Sequence, residues 1–222
     1  MRRGISGAVF LAILFAIIVF IGSAISETIP AGYVGIVYNL NGGIEDKILS
    51  QGWHMELPTK KIIQYTVARE QSYMTKDKKG DSPEDESFEI PTKEGASLDV
   101  DLAFGYSFDR DRIPETFTRF KGQNGKEILE TFIKPNMQSW VKEITPEFGM
   151  IEIVSKERGK VNSLITERMQ ELFYPYGIII DKVSLTDVRP DKDTDKAIKA
   201  KIKAQEEKEK AKITAETEKI NA

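Results

Sequence analysis

Leu98-Asp99-Val100-Asp101-Leu102-Ala103-Phe104-Gly105-Tyr106-Ser107-Phe108 decides the fold of the chain. All six even positions are large and apolar, while the odd ones are Asp, Ala, Gly or Ser. Side chains of a strand alternate between faces, so a period of two sets one face in a core and makes this an antiparallel strand. Just before it, Thr92-Lys93-Glu94-Gly95 has turn composition and joins it to Phe88-Glu89-Ile90. Asp99 and Asp101 share the polar face. Paired carboxylates can serve acid–base or metal chemistry, but the solvated face of a half-buried sheet is the commoner origin of such a pattern.

Downstream the period changes to 3.6. Ile128, Leu129, Phe132, Ile133, Met137, Trp140, Val141 and Ile144 recur at three- and four-residue steps, one face of a helix with Trp140 in the core, and Pro135 must kink or divide it. A second helix presents Val161, Leu164, Ile165, Met169, Leu172 and Phe173, and Gly177 stands where a left-handed cap would end it. Ile178 to Val188 returns to a strand, apolar at first and alternating afterwards.

Upstream, Ile29-Pro30-Ala31-Gly32 reads as a turn and Tyr33 to Tyr38 as a strand closed by a hairpin at Asn39 to Gly43. Gly52-Trp53-His54-Met55-Glu56-Leu57-Pro58 follows. Lys61 to Met74, rich in β-branched and aromatic residues, reads as one long strand, and Lys76 to Ser87 as a solvated loop. These runs predict one sheet of four or five strands. Strands, then helices, then a last strand make an α+β fold.

The two ends have other compositions, which the mean hydropathy of -0.34 conceals. Gly4 to Ser26 carries no ionisable side chain across 23 positions and is apolar on every helical face, including Ile5, Phe10, Leu14, Ile18 and Ile21. As a helix it would be roughly 35 Å long, against a hydrocarbon core of about 30 Å, so it is expected to span a membrane. The competing reading is a cleaved signal peptide, since Ala24-Ile25-Ser26 has the small-x-small form of a cleavage site. Signal cores run about 7–15 residues. Here the run from Ile5 to Ile21 is longer, which favours an uncleaved anchor. Arg2 and Arg3 precede the span, and Glu27 to Asp46 has no Lys or Arg. The positive-inside rule then sets the N-terminus in the cytoplasm and the bulk of the chain on the extracytoplasmic side.

From Asp191 onward the chain has no Gly or Pro and is mostly Lys, Glu, Asp and Ala, so a long helix is expected, capped by Asp193 or Thr194. Residues 199–209 and 210–220 match at 7 of 11 positions. An eleven-residue period favours nearly straight or slightly right-handed packing, with Ala200, Ile202, Ala204, Ala211, Ile213 and Ala215 as its seam. A solvated single helix is the bland alternative, yet with so little apolar surface an isolated helix would be marginal.

Between these ends lie 164 residues, enough for one ordinary domain or two small ones. The division is therefore 1–26 anchor, 27–190 folded body, and 191–222 the start of a coiled-coil helix. No cysteine occurs, which excludes disulfides, thiolate zinc sites and thiol nucleophiles. A net charge of -3 gives no footprint for nucleic acid. His54 is the only histidine, and a packed or surface imidazole is its expected state. No Gly-x-Ser-x-Gly elbow, His-Glu-x-x-His pair or phosphate-binding loop is present. No catalytic, cofactor or metal residue is assigned.

Ile29 to Val37, followed by Gly52-Trp53-His54 and Pro58, resembles the opening of the stomatin/prohibitin/flotillin (band 7, SPFH) domain. Thr92-Lys93-Glu94-Gly95 is similar to that family's Thr-x-Asp-Gly turn, with Glu94 in place of Asp. Ile133-Lys134-Pro135 to Lys142, Tyr176-Gly177-Ile178 and the charged Ala-rich helix follow in the family's order. The Lys76 to Ser87 loop departs from it. Organisation is closest to the prohibitin-like branch.

The resemblance implies a membrane-anchored, non-enzymatic scaffold whose copies assemble into rings or cages with coiled-coil walls. These would enclose a lipid patch or restrain a membrane-bound ATP-dependent (AAA) protease. It implies the bilayer, further copies or a paralogue as partners, and membrane contact by Ile29, Tyr33 and Trp53. Two alternatives stay open: an accessory protease subunit taking part in proteolysis, or a secreted binding protein cleaved near Ser26.

Overall fold

The computed structural model describes residues 9–16, 26–78, 84–155 and 158–221. They form two compact units interleaved along the sequence. One takes residues up to Arg69 with Ser107–Leu129 and Tyr176–Ile178, and the other takes Glu70–Tyr106, Glu130–Pro175 and Ile179 onward.

In the first unit, β1 (Ser26–Ile29) pairs antiparallel with β4 (Gly52–Met55), Ser26 opposite Met55 and Ile29 opposite Gly52. Strand β2 (Tyr33–Asn39) lies between β3 (Gly43–Leu49) and β5 (Lys60–Thr66), both antiparallel to it. Asn39 to Gly43 is the expected hairpin. Ile29, Val37, Leu49 and Ile62 bury together with Tyr33 against them. A side chain at Gly35 would run into both Ile62 and Ile29, so that crossing requires glycine. Helix α2 (Ile113–Arg119) and the short α3 (Gly125–Ile128) complete the unit, α3 opened by a capping box between Asn124 and Glu127. Tyr65 is fully buried, its ring edge-on to Phe108 at 5.2 Å and its hydroxyl donating to the Gln123 carbonyl at 2.6 Å. Burial pushes this phenol well above its ordinary range.

The expected single strand from Lys61 to Met74 is two strands in different sheets, β5 and β6 (Glu70–Met74). The cause is local. The Gly32 carbonyl accepts from Val67 N at 2.8 Å and Ala68 N at 3.0 Å, and Thr66 Oγ1 donates to the Ala68 carbonyl at 2.9 Å. Those bonds replace ladder bonds and turn the chain away. The predicted single sheet is consequently three among the described residues, of two, three and four strands.

The second unit is built on β8 (Ser97–Phe108), which bears out the decisive alternation: all six even positions from Leu98 to Phe108 are buried. β7 (Phe88–Pro91) and β6 flank it antiparallel, and β9 (Ile178–Pro190) pairs with it as well. Thr92 to Gly95 forms the expected turn, with Gly95 N donating to the Thr92 carbonyl at 2.9 Å and Gly95 at φ +79°. Before Pro135 the helical run widens into a π turn, Leu129–Ile133, and resumes as α4 (Lys134–Ile144). Proline has no N–H for the ladder, and the wider turn absorbs the loss. α5 (Met150–Val154) and α6 (Arg158–Phe173) follow. On α6, Val161, Ile165, Met169 and Phe173 are buried, but Leu164 and Leu172 are exposed, contrary to expectation. Trp140 is half-buried, its ring 4.7 Å from that of Phe173.

Helix α7 (Lys192–Asn221) ends the described chain. Its cap is Asp191, not Asp193 or Thr194: the Asp191 carboxylate accepts from the backbone N–H groups of both residues at 2.8 Å. Those N–H groups, Thr194's first, hold its carboxyl below the usual range. Residues 9–16 form α1, whose side chains are exposed, Phe10 and Leu14 among them. Ile5, Ile18 and Ile21 lie outside the described residues. Among the described residues no helix is long and apolar enough to cross a membrane.

Candidate functional site

Asp99 and Asp101 are neither a reactive pair nor a bare solvated face. Arg189, near the end of β9, holds both, Nε at 3.0 Å from Asp99 Oδ2 and Nη2 at 2.6 Å from Asp101 Oδ1, while Nη1 reaches Asp187 Oδ2 at 2.7 Å. The three acids raise the guanidinium's pKa further, Asp101 most, so it is permanently charged. This is a clamp between strands, not a proton-transfer site. His54 likewise is structural, a ring nitrogen lying 2.6 Å from the Ser50 carbonyl oxygen. Among the described residues no group of three or more His, Asp or Glu could hold a metal.

The polar side of α6 has a role that its hydrophobic pattern conceals. Asn162, Thr166 and Gln170 recur every four residues and face the backbone of β9. Thr166 Oγ1 accepts from Val183 N at 2.9 Å, Asn162 Oδ1 accepts from Leu185 N at 3.1 Å, and Gln170 Nε2 donates to the Ile180 carbonyl at 2.9 Å. Backbone groups of Ile180, Val183 and Leu185 are thereby satisfied by side chains. Such a four-residue amide and hydroxyl stripe was the available signal.

The site with most bearing on function is the base of α7. Ile198 is 3% exposed and Ile202 half-buried, whereas the described side chains beyond Ile202 are exposed, Ile213 at 57%. Lys201 Nζ lies 2.9 Å from Glu94 Oε1, and Glu94 Oε2 accepts from Met150 N, the first residue of α5, at 2.9 Å. One carboxylate therefore joins the β7–β8 turn, the start of α5 and the tail helix. At about 100° per residue, Ala200, Ala204, Ala211 and Ala215 fall on one stripe, and Ile202 and Ile213 fall on roughly the opposite side with Ile198. The six expected seam residues therefore occupy two faces, and the isoleucine face is the one that seats on the body.

Of the residues expected near a bilayer, Ile29 is buried, a correction that follows from its place in the β1–β2 core. Tyr33 is half-buried. Trp53 is 61% exposed, and Met55 and Leu57 beside it are exposed as well. Met55 stands opposite Ser26, the residue that ends the apolar N-terminal run.

Residues 27–219 match the SPFH domain / Band 7 family. The chain belongs to that family. Prohibitin-7, mitochondrial, of Arabidopsis thaliana is 28% identical over 200 residues, covering 88% of this chain and 64% of the relative. Prohibitin-2 of Mus musculus is 22% identical over 190 residues, 85% of this chain and 58% of the relative. Prohibitin 1 of Bos taurus is 22% identical over 190 residues, 85% of this chain and 63% of the relative. The chain thus spans about three-fifths of the length of the curated relatives it matches.

Within this band 7 chain, the Glu94 side chain reaches both the α5 N–H and Lys201. The loop from Lys76 to Ser87 has its tip outside the described residues. Its returning limb is fixed by Glu86, whose carboxylate oxygens lie 3.1 Å from the buried Lys134 Nζ, which also meets Glu130 at 3.1 Å.

Proposed function

We propose that this SPFH/band 7 chain is a non-enzymatic, membrane-anchored scaffold. Residues 1–26 form a single span through Ile5, Phe10, Leu14, Ile18 and Ile21, 27–190 form the body, and 191–222 begin a coiled-coil wall. Copies assemble into a ring or cage that organises a lipid patch or restrains a membrane-bound AAA protease, either as a homo-oligomer or with a paralogue. The N-terminus is cytoplasmic, with the body on the other side. Trp53, near the end of the apolar run, adds interfacial contact, as amphipathic aromatic side chains do at headgroup level, and the exposed Met55 adds apolar surface beside it.

The observation that carries this reading is the tail helix. Its base is seated through Ile198 and Lys201, while its remainder presents exposed alanines and Ile213 with no partner in the chain among the described residues. A solitary helix of that composition gains little, and lateral partners held by a common membrane supply the missing contacts at high effective concentration. Mass measurement of the full-length protein in mild detergent tests it. A large oligomer is expected, and a monomer or dimer rules the scaffold out.

A further inference from the structure

A groove in the first unit has the make-up of a ligand site. Ile44, Tyr38 and Lys61 form one row across β3, β2 and β5, since Tyr38 is opposite Ile44 on one side and Lys61 on the other. Phe117 of α2 covers the row, its ring 5.6 Å from that of Tyr38. Together with Ile63 and Leu40 they enclose about 580 Å³, within the range of small-molecule sites of roughly 300–1,000 Å³. Leu40, at the hairpin tip, is 56% exposed beside it. The mouth stays open because Gly43 and Gly122, both at positive φ, carry no side chain there.

The rim is cationic. Lys61 and Lys121 both line the groove and are exposed, and neither has an acidic partner among the described residues. Their neighbours do: Lys60 meets Glu45 at 2.7 Å and Glu56 at 3.4 Å, and Arg119 meets Glu115 at 2.8 Å. Lys121 is also held at φ +53°, the left-handed region that costs a non-glycine residue about 1 kcal/mol or more. Gly122 N, bonded to the Phe117 carbonyl at 2.9 Å, locks that turn. Strain is thus accepted at the residue whose side chain stands on the rim.

A largely apolar floor whose only charged lining residues are cations complements one chemistry. We propose that the groove binds a single acyl chain ending in an anionic head, the chain lying along Tyr38, Ile44, Ile63 and Phe117 and the head between Lys61 and Lys121. A polar peptide would leave its backbone groups unpaired against that floor. Assembly of copies is not required for this site.

The test uses the full-length protein in phosphatidylcholine nanodiscs with three probes carrying a diazirine in the acyl chain: phosphatidylglycerol, phosphatidylcholine and free palmitate. Cross-linked peptides are read by mass spectrometry, with labelling of the N-terminal apolar run as internal reference. An anionic probe is expected to label the 38–44 and 117–122 segments about thirtyfold more than the phosphatidylcholine probe, the effect of two lysines at about 1 kcal/mol each. Lys61→Glu/Lys121→Glu should abolish that preference, with the reference labelling and the melting temperature unchanged. Palmitate against phosphatidylglycerol tells a free acid from a bilayer lipid. Equal labelling by neutral and anionic probes, labelling only outside the groove, or a preference that survives both substitutions overturns the proposal.

Discussion

Lys201 Nζ sits 2.9 Å from Glu94 Oε1, joining a hairpin turn to a helix 107 residues later in the chain. Both groups are partly open to water, so the pair adds no more than about 1 kcal/mol to global stability. Its effect is on direction. With Ile198 buried beside it, the bond sets the angle at which the tail leaves the body.

Glu94→Gln should therefore alter the tail more than the fold. Amides from Ile198 to Lys203 are expected to exchange faster with solvent, with the denaturation midpoint nearly constant. Glu94→Asp, too short to reach both partners, should act in the same direction. Unchanged exchange in both variants would show that Ile198 alone seats the helix.

The same junction should respond to acid. Burial disfavours the Glu94 carboxylate, but the Lys201 ammonium and the Met150 N–H outweigh it, so its pKa is held below the ordinary 4.5. A carboxyl depressed on folding contributes stability that is fully present above its unfolded value and is lost as pH falls through the folded one. Protection factors at Ile198 to Lys203, which divide out the intrinsic pH dependence of amide exchange, should be flat above about pH 5 and fall below pH 4.5 in the native protein, and Glu94→Gln should remove that fall.

Arg189→Lys tests the clamp on Asp99 and Asp101. A lysine ammonium cannot span three carboxylates as the planar guanidinium does. A loss of about 1–2 kcal/mol is expected from urea unfolding, because the charge-assisted bonds are partly exposed. Arg189→Ala should cost at least as much.

Gly177 is at φ +73°, and a β-carbon there would collide with Thr116 Oγ1. Gly177→Ala should cost about 2 kcal/mol or more, read as a lowered melting temperature. Pairing it with Thr116→Ala relieves the collision but not the backbone, so recovery should be partial.

The strands were legible where one face alone meets a core. Leu98 to Phe108 shows its register in the residue types themselves. The break between β5 and β6 was not, since Val67-Ala68-Arg69 is compatible with a strand and what diverts it is the distant Gly32 carbonyl. Helix faces were legible to within one residue's turn: Leu164 and Leu172 sit beside the buried row of α6 and remain outside it. The eleven-residue repeat was visible, but which face of it would be consumed by the body depended on Glu94, far away in the chain. Arg189 gave no local sign of its partners for the same reason.

Thr166→Val removes the hydroxyl that meets both the N–H and the carbonyl of Val183 while keeping side-chain shape. A loss of about 1–3 kcal/mol is expected from the orphaned backbone groups, measured by denaturant titration.

That seal on β9 has a corollary for how copies can join. A strand whose outward hydrogen-bonding groups are already engaged offers no template to an incoming chain, so it cannot seed runaway stacking even when many molecules are crowded on a surface. From Ile180 to Leu185, then, this strand turns engaged backbone groups toward α6 and is closed there to a strand from outside.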